Sequence, residues 1–198
     1  VSDSGVKVIS IGMFLEDSKP VAWRGPMLHR AIEQFLCDVF WGDLDFLLVD
    51  LPPGTGDVAI SLGQLLSKAR SLVITTPQSA AATVAERSGA IGLQTGQEVL
   101  GVIENLSYLA TDYGKQYIFG QGGGEAVAKR LSTLSGQSVE VLAQLPISPE
   151  LREASDSGVP LVISQPGSPI SKEIFAVAEL LAKKPIGLSG KSLGLKPR

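Results

Sequence analysis

Apolar residues recur in two rhythms along this 198-residue chain, and the two rhythms alternate. Short unbroken aliphatic runs read as strands: VKVISI (Val6–Ile11), DFLLVDL (45–51), SLVITT (Ser71–Thr76), EVLGVIEN (Glu98–Asn105) and SVEVLAQLP (138–146). Between them lie stretches whose apolar positions share one helical face. Pro26–Phe40 puts Leu28, Ile32, Phe35, Leu36 and Val39 on one side and Arg30, Glu33, Gln34 and Cys37 on the other. Pro26 is tolerated because the first turn of a helix needs no N–H from it. Helices are also predicted for Asp57–Leu66, for Ser79–Gln94 with Ser79 as N-cap, from Gly122 onward, and for Pro149–Ser155 and Ser168–Lys183. Residues 106–121 read as irregular. Alternating strand and helix predict an α/β fold, a mostly parallel sheet flanked by helices. Ligands bind such sheets beyond the carboxyl ends of the strands. The positions to watch are therefore Asp50, Thr76–Gln78, Asn105 and Pro146.

Composition narrows the classes. The chain is 44% hydrophobic but only 6% aromatic, and its mean hydropathy is positive, +0.23. Small aliphatic strands buried on both faces by helices account for that. No apolar run approaches the roughly 18 residues of a membrane span, and no signal peptide is visible. We expect no membrane partner. A single cysteine, Cys37, excludes an internal disulfide and points to the cytoplasm. Five of the 17 basic residues and none of the 20 acids fall in 183–198. That stretch, broken by Pro and Gly, is expected to be a flexible basic tail. Residues 1–182 form one acidic domain, a poor generic binder of nucleic acid, whose capture rests on neutralising phosphates. The chain opens at Val1 without a Met and enters a predicted strand almost at once. We expect it to be part of a longer protein.

One octet is too elaborate for a plain turn. DLPPGTGD (50–57) follows the apolar run Phe46–Val49. A carboxylate at the end of a buried strand is costly unless paired or bound to a cation. Mg²⁺ is a suitable partner, since it takes oxygen ligands, keeps waters, and is held by one or two carboxylates plus phosphates. Pro52 and Pro53 lack N–H groups and stiffen the exit. Gly54 and Gly56 let a ligand approach the backbone, and the Gly54 N–H can donate to a phosphate oxygen. Asp57 is placed to cap the next helix. A strand-to-helix turn with an N-cap is the plain alternative.

The octet belongs to a longer specific stretch, WGDLDFLLVDLPPGTGD (Trp41–Asp57). Together with WRGPM, HRAIEQF, TTPQ, GVIENLSY, IFGQGGGEAVA and LAQLPISPELREASDSGVPLV, it resembles the Mrp/ApbC family. These are P-loop ATPases related to MinD and regarded as iron–sulfur cluster carriers. The resemblance covers nearly the whole chain. It implies a MinD/ParA-like P-loop NTPase fold, ATP and Mg²⁺ as ligands, a homodimer in the intact protein, and apo iron–sulfur proteins as clients. It makes Asp50 the Walker B residue, which holds a water of the ATP-bound Mg²⁺. Pro53, Gly54 and Thr55 become the switch that senses the γ-phosphate, with Gly54 as backbone donor. Asn105 becomes the adenine reader, because an amide offers a donor and an acceptor together. A loop amide that caps backbone is the alternative there. Leu145 and Pro146 line the base pocket through their main chain, or form an ordinary strand exit.

Two departures qualify the resemblance. The family's Walker A loop after its first strand is absent. GLSGKS (Gly187–Ser192) does not replace it, since Pro185 stands where that motif needs glycine. The glycines of GQGGGEAVAKRL lack a following Lys-Ser or Lys-Thr, and read as a packing turn or as an anion-binding helix start. We therefore expect an N-terminally truncated domain, 1–182, whose first strand, P-loop and first helix lie upstream of Val1, and which does not hydrolyse ATP alone. The second departure is LSYLATDYGKQYIFG (106–120), which holds no cysteine where many family members carry C-P-x-C. No iron–sulfur ligand is identified, and Cys37 alone gives two thiols per dimer, short of the usual four. A MinD/ParA-like positioning ATPase and a non-enzymatic nucleotide-gated adaptor are the alternative functions. Trp23–Arg24 reads as a packed Trp beside a surface Arg, or as a contact to nucleotide or the opposite subunit, since Arg suits phosphate, and His29 reads as an ordinary helix residue.

Overall fold

A computed structural model describes residues 2, 4–14, 25–52 and 56–183. The elements, in chain order, are α1 (Gly25–Cys37), α2 (Asp57–Leu65), β1 (Arg70–Thr75), α3 (Ser79–Gln94), β2 (Glu98–Glu104), β3 (Leu109–Thr111), β4 (Gly114–Gln116), α4 (Gly123–Ser135), β5 (Val141–Gln144), α5 (Pro149–Ser157), α6 (Leu161–Ser164) and α7 (Pro169–Lys183). Strands β1, β2 and β5 form a parallel sheet in that order, and β3 and β4 a separate antiparallel hairpin. Each parallel pair is joined through a helix, as parallel pairing requires.

The core lies between one face of the sheet and helices α3 and α4. Val73 of β1 and Val99 and Val102 of β2 meet Ala82 and Ala85 of α3 and Val127, Ala128 and Leu131 of α4. Helix α3 buries Ala82, Ala85, Gly89 and Gly92, a stripe of small residues at helical spacing. The stripe brings the helix close: a Cβ on Gly89 would stand 2.8 Å from both Leu131 methyls, and one on Gly92 would stand 2.9 Å from Ser71 Oγ. A smaller cluster of Ala154, Leu161 and Ile170 joins α5, α6 and α7, and α7 reaches β5.

The opposite face is less covered than the composition led us to expect. Ile74 of β1 is exposed, and Leu72 and Ile103 are half-buried. Two expected strands are also absent. Neither Val6–Ile11 nor 45–51 forms a strand among the described residues, and Ile11–Phe14 is a 3₁₀ turn. Lys7 Nζ donates to the Trp41 carbonyl and lies 5.9 Å from the Phe40 ring. The apolar run remains open to solvent, with Leu48 89% exposed. A strand is defined by its neighbour's N–H and C=O groups, and among the described residues β1 pairs only with β2. The aliphatic pattern is present, but its partner is not among the described residues.

Local details depart from expectation by a residue or two. Gln78, not Ser79, is the N-cap of α3, and Gly56, not Asp57, is that of α2. Asp57 instead occupies the first turn, where its charge suits the positive end of the helix. Residues 106–121, expected to be irregular, contain the β3–β4 hairpin, closed by Thr111 Oγ1 donating to the Gly114 carbonyl at 2.7 Å. The basic tail lies outside the described residues apart from Lys183, which ends α7.

Helix α5 is capped by its sequence. Ser148 Oγ accepts from Leu151 N at 3.0 Å and donates to Glu150 Oε2 at 2.7 Å, and Pro149 fills the first helical position. The serine hydroxyl, and secondarily Glu150's own N–H, hold the Glu150 carboxyl below its usual value. Ser148→Ala should lower stability by about 1 kcal/mol in urea denaturation. The contribution of Glu150 is present above the unfolded carboxylate pKa and fades as pH falls through the lower folded value. The gap between wild type and variant should therefore narrow in acid.

Candidate functional site

The carboxyl ends of the three parallel strands meet at one rim. Thr75 lies opposite Glu104, and Glu104 opposite Gln144. Backbone pairing continues past the strand ends. Asn105 N donates to Thr75 O at 2.8 Å, Leu145 N to Glu104 O at 2.8 Å, Ser107 N to Leu145 O at 2.9 Å, and Ile147 N to Tyr108 O at 2.7 Å. The loops 76–78, 105–108 and 145–147 thus sit side by side.

Asn105 is half-buried at the centre of this rim. Its Oδ1 accepts from Leu106 N at 2.9 Å, which fixes the orientation of the amide. The Nδ2 group has no partner among the described residues and remains a donor. Leu106 has φ +56°, the single non-glycine residue with positive φ among the described ones. For a branched apolar side chain that conformation is strained, and it needs surroundings that impose it. Leu145 has both backbone groups committed to pairing. Pro146 has no N–H, and its carbonyl is free of any described donor.

The three glycines 122–124 resolve into a packing turn. Gly122, at φ +83°, is the N-cap of α4. A Cβ on Gly123 would stand 2.6 Å from Thr76 O and 2.7 Å from Pro77 O. One on Gly124 would stand 3.0 Å from Glu104 Cβ. The anion at this helix start is internal: Glu104 Oε2 accepts from Gly124 N at 2.6 Å. Glu104 is 2% exposed, and its Oε1 accepts from Ser107 Oγ at 2.7 Å and from Gln144 Nε2 at 3.3 Å. Glu125 Oε1 takes the same Gln144 amide at 2.9 Å. Glu104, Ser107 and Gln144 do not stand out in the sequence as site residues. The one hint in the sequence is a serine three residues after the acid that closes the aliphatic run, and solvated strand ends share it.

The phosphate end of the expected site is described only in part. Asp50 is exposed, at the end of the uncovered apolar run, and pairs with none of the described residues. Pro53, Gly54 and Thr55, the expected switch, lie outside the described residues, as do Trp23 and Arg24. Asn105, Leu145 and Pro146 are brought together; Asp50 is not joined to them by any described contact. Cys37 is exposed on α1, and the hairpin β3–β4 occupies the segment in which many family members carry a cysteine pair. Among the described residues, no three His, Cys, Asp or Glu side chains gather to hold a metal ion. No helix among them is long and apolar enough to cross a membrane.

A parallel sheet with crossover helices and a rim of loops at its carboxyl edge places the described residues in the α/β class. Two solved structures share the fold. A nucleotide-binding protein from Archaeoglobus fulgidus in complex with ADP superposes with TM-score 0.58 at 31% identity, covering 75% of this chain and 58% of its own. The septum site-determining protein MinD from Pyrococcus horikoshii, complexed with Mg-ADP, gives 0.57 at 25% identity, covering 85% and 60%. Residues 1–182 match the family described as ParA: NUBPL iron-transfer P-loop NTPase, and the chain belongs to that family. An iron–sulfur cluster carrier protein from Mycobacterium tuberculosis is 58% identical over 193 residues, 97% of this chain and 51% of the relative. The chain spans about half the length of the curated relatives it matches.

Proposed function

We propose that this chain is part of a protein of the Mrp type that binds and hydrolyses Mg-ATP and acts in the carriage or assembly of iron–sulfur clusters in the cytoplasm. The observation that carries this reading is the family match over residues 1–182. In it, Asp50 holds a water of the ATP-bound magnesium, and Pro53, Gly54 and Thr55 form the γ-phosphate switch. Asn105 offers its free Nδ2 donor, and the second lone pair of its Oδ1, to the adenine edge. Pro146 faces the base with its carbonyl, beside Leu145. Phosphoryl transfer rests on positioning and charge neutralisation more than on covalent chemistry. A strand, a glycine-rich lysine loop and a helix from outside residues 1–198 complete the site, and that strand pairs along the open edge of β1. Nucleotide closes a homodimer, with the switch biased by the γ-phosphate, and apo iron–sulfur proteins receive the cluster. One cysteine per chain leaves a dimer short of four thiolates. The carrier reading therefore rests on the family match and not on cluster ligands in this chain.

The experiment uses the full-length gene product that carries this chain. Magnesium-dependent ATP hydrolysis is expected from it and not from residues 1–198 alone; turnover by residues 1–198 would refute the completed-site reading. Anaerobic reconstitution with iron and sulfide should leave bound iron on the full-length protein. Its absence would end the carrier reading while leaving the ATPase. The likeness to MinD structures favours a second reading, a positioning ATPase. Co-sedimentation with liposomes or DNA at physiological salt would promote that one instead.

A further inference from the structure

We infer that Glu104 is the positioning residue for Asn105: its buried carboxylate clamps the turn 105–107 to the start of α4 and so sets selectivity for the base. This rests on the reading of Asn105 as the contact to adenine. The geometry is a closed loop. Glu104 and Ser107 bracket Asn105 and Leu106, and the carboxylate takes the Ser107 hydroxyl on one oxygen and Gly124 N on the other. The Glu104 carbonyl takes Leu145 N, and Asn105 N reaches Thr75 O. The one positive-φ leucine lies inside this bracket. Its strained backbone persists because both ends of the turn are held.

A buried carboxylate is an expensive means of filling space, and an apolar residue of the same volume serves packing as well or better. What the carboxylate adds is direction. It accepts at once from a helix N-terminus, a hydroxyl and an amide, each from a different element. Charge-assisted bonds of this kind are short and geometrically selective. Gln144 cannot adapt freely to a change there, because Glu125 already holds its amide. In Glu104→Gln one carboxylate oxygen becomes an NH₂ group. Placed toward Ser107, it meets the NH₂ of Gln144; placed toward α4, it meets Gly124 N–H. Either orientation opposes donor to donor, so the turn loosens while the side-chain volume is kept.

The test uses the full-length protein and fluorescent analogues of ATP and GTP as probes. Wild type is expected to prefer ATP, and Asn105→Ala to erase that preference. Glu104→Gln should weaken ATP binding about tenfold, the equivalent of one lost charge-assisted bond. Binding of GTP, held by its phosphates, should stay within about twofold. Val102→Ala, in the core of the same strand, serves as a control for destabilisation alone. If Glu104→Gln and Glu104→Ala lower the melting temperature as Val102→Ala does and leave the ATP-to-GTP ratio intact, the inference is overturned while the reading of Asn105 stands. If wild type shows no preference, or Asn105→Ala keeps it, the reading of Asn105 falls and takes this inference with it.

Discussion

Replacing Asp50 by alanine in the full-length protein is expected to cut ATP turnover by about a hundredfold or more, the scale seen when one group that stabilises transition-state charge is removed. The carboxylate stands at the end of Phe46–Val49 and has no partner among the described residues, so no bond to any of them is lost with it. Its proposed task is to hold a magnesium-bound water against the phosphates, and magnesium neutralises charge that grows as the γ-phosphoryl group leaves. The loss should therefore appear in kcat more than in nucleotide affinity, because the phosphate-binding loop proposed for the full-length protein would still hold the nucleotide. Raising Mg²⁺ should recover little. Asp50→Asn, which keeps shape and loses charge, should be nearly as impaired. Steady-state ATPase rates across a magnesium titration, with the melting temperature unchanged, make the comparison. Turnover equal to wild type in either variant would sink the assignment of Asp50.

The second large effect concerns the joint between α3 and α4. Leu131 is fully buried, and Leu131→Ala should cost about 3 kcal/mol, within the usual range of 2–5 for such truncations. Gly89→Ala should also destabilise, by about 1–3 kcal/mol, since the new Cβ would stand 2.8 Å from two Leu131 methyls and 3.3 Å from Val73 Cγ2. The gain in helix propensity offsets about 1 kcal/mol of that at most. In the double variant the alanine methyl enters the space that the leucine vacates. The two costs should then fail to add by about 1–2 kcal/mol. Urea denaturation of the four proteins in the cycle measures this directly. Strict additivity would mean that the two helices do not meet at this point.

Much of the fold was readable from pattern because the pattern is caused locally. SLVITT and EVLGVIEN are aliphatic runs with turn signals at their ends, and β1 and β2 fall on them. The Ala- and Gly-rich stripe of Ser79–Gln94 is a single helix, as its period requires. VKVISI and DFLLVDL carry the same signal and form no strand. Periodicity reports that a segment suits a sheet, but pairing needs a neighbour's backbone, and none of the described residues supplies one.

The rim was legible unevenly. Asn105 and Pro146 could be picked out because strand ends are where ligands bind parallel sheets, Leu145 came in only with the family resemblance, and the structure sets the three side by side. Glu104 could not be, because a glutamate ending a strand looks in sequence like any solvated acid. Its burial follows from Gly124, twenty residues later, and from Gln144, forty residues later. By itself the sequence determined which segments have a helical or extended pattern, where turns break them, and that one cysteine per chain gives a dimer two thiols. Tertiary structure alone decided that Gly123 and Gly124 serve close packing while Gly122 supplies the positive φ of the cap, that the helix they open takes its anion from within, and that a strained leucine is held between two buried polar side chains. The physical reason is range: propensity and period act over a few residues, whereas burial and hydrogen bonding join groups that only the folded chain brings together.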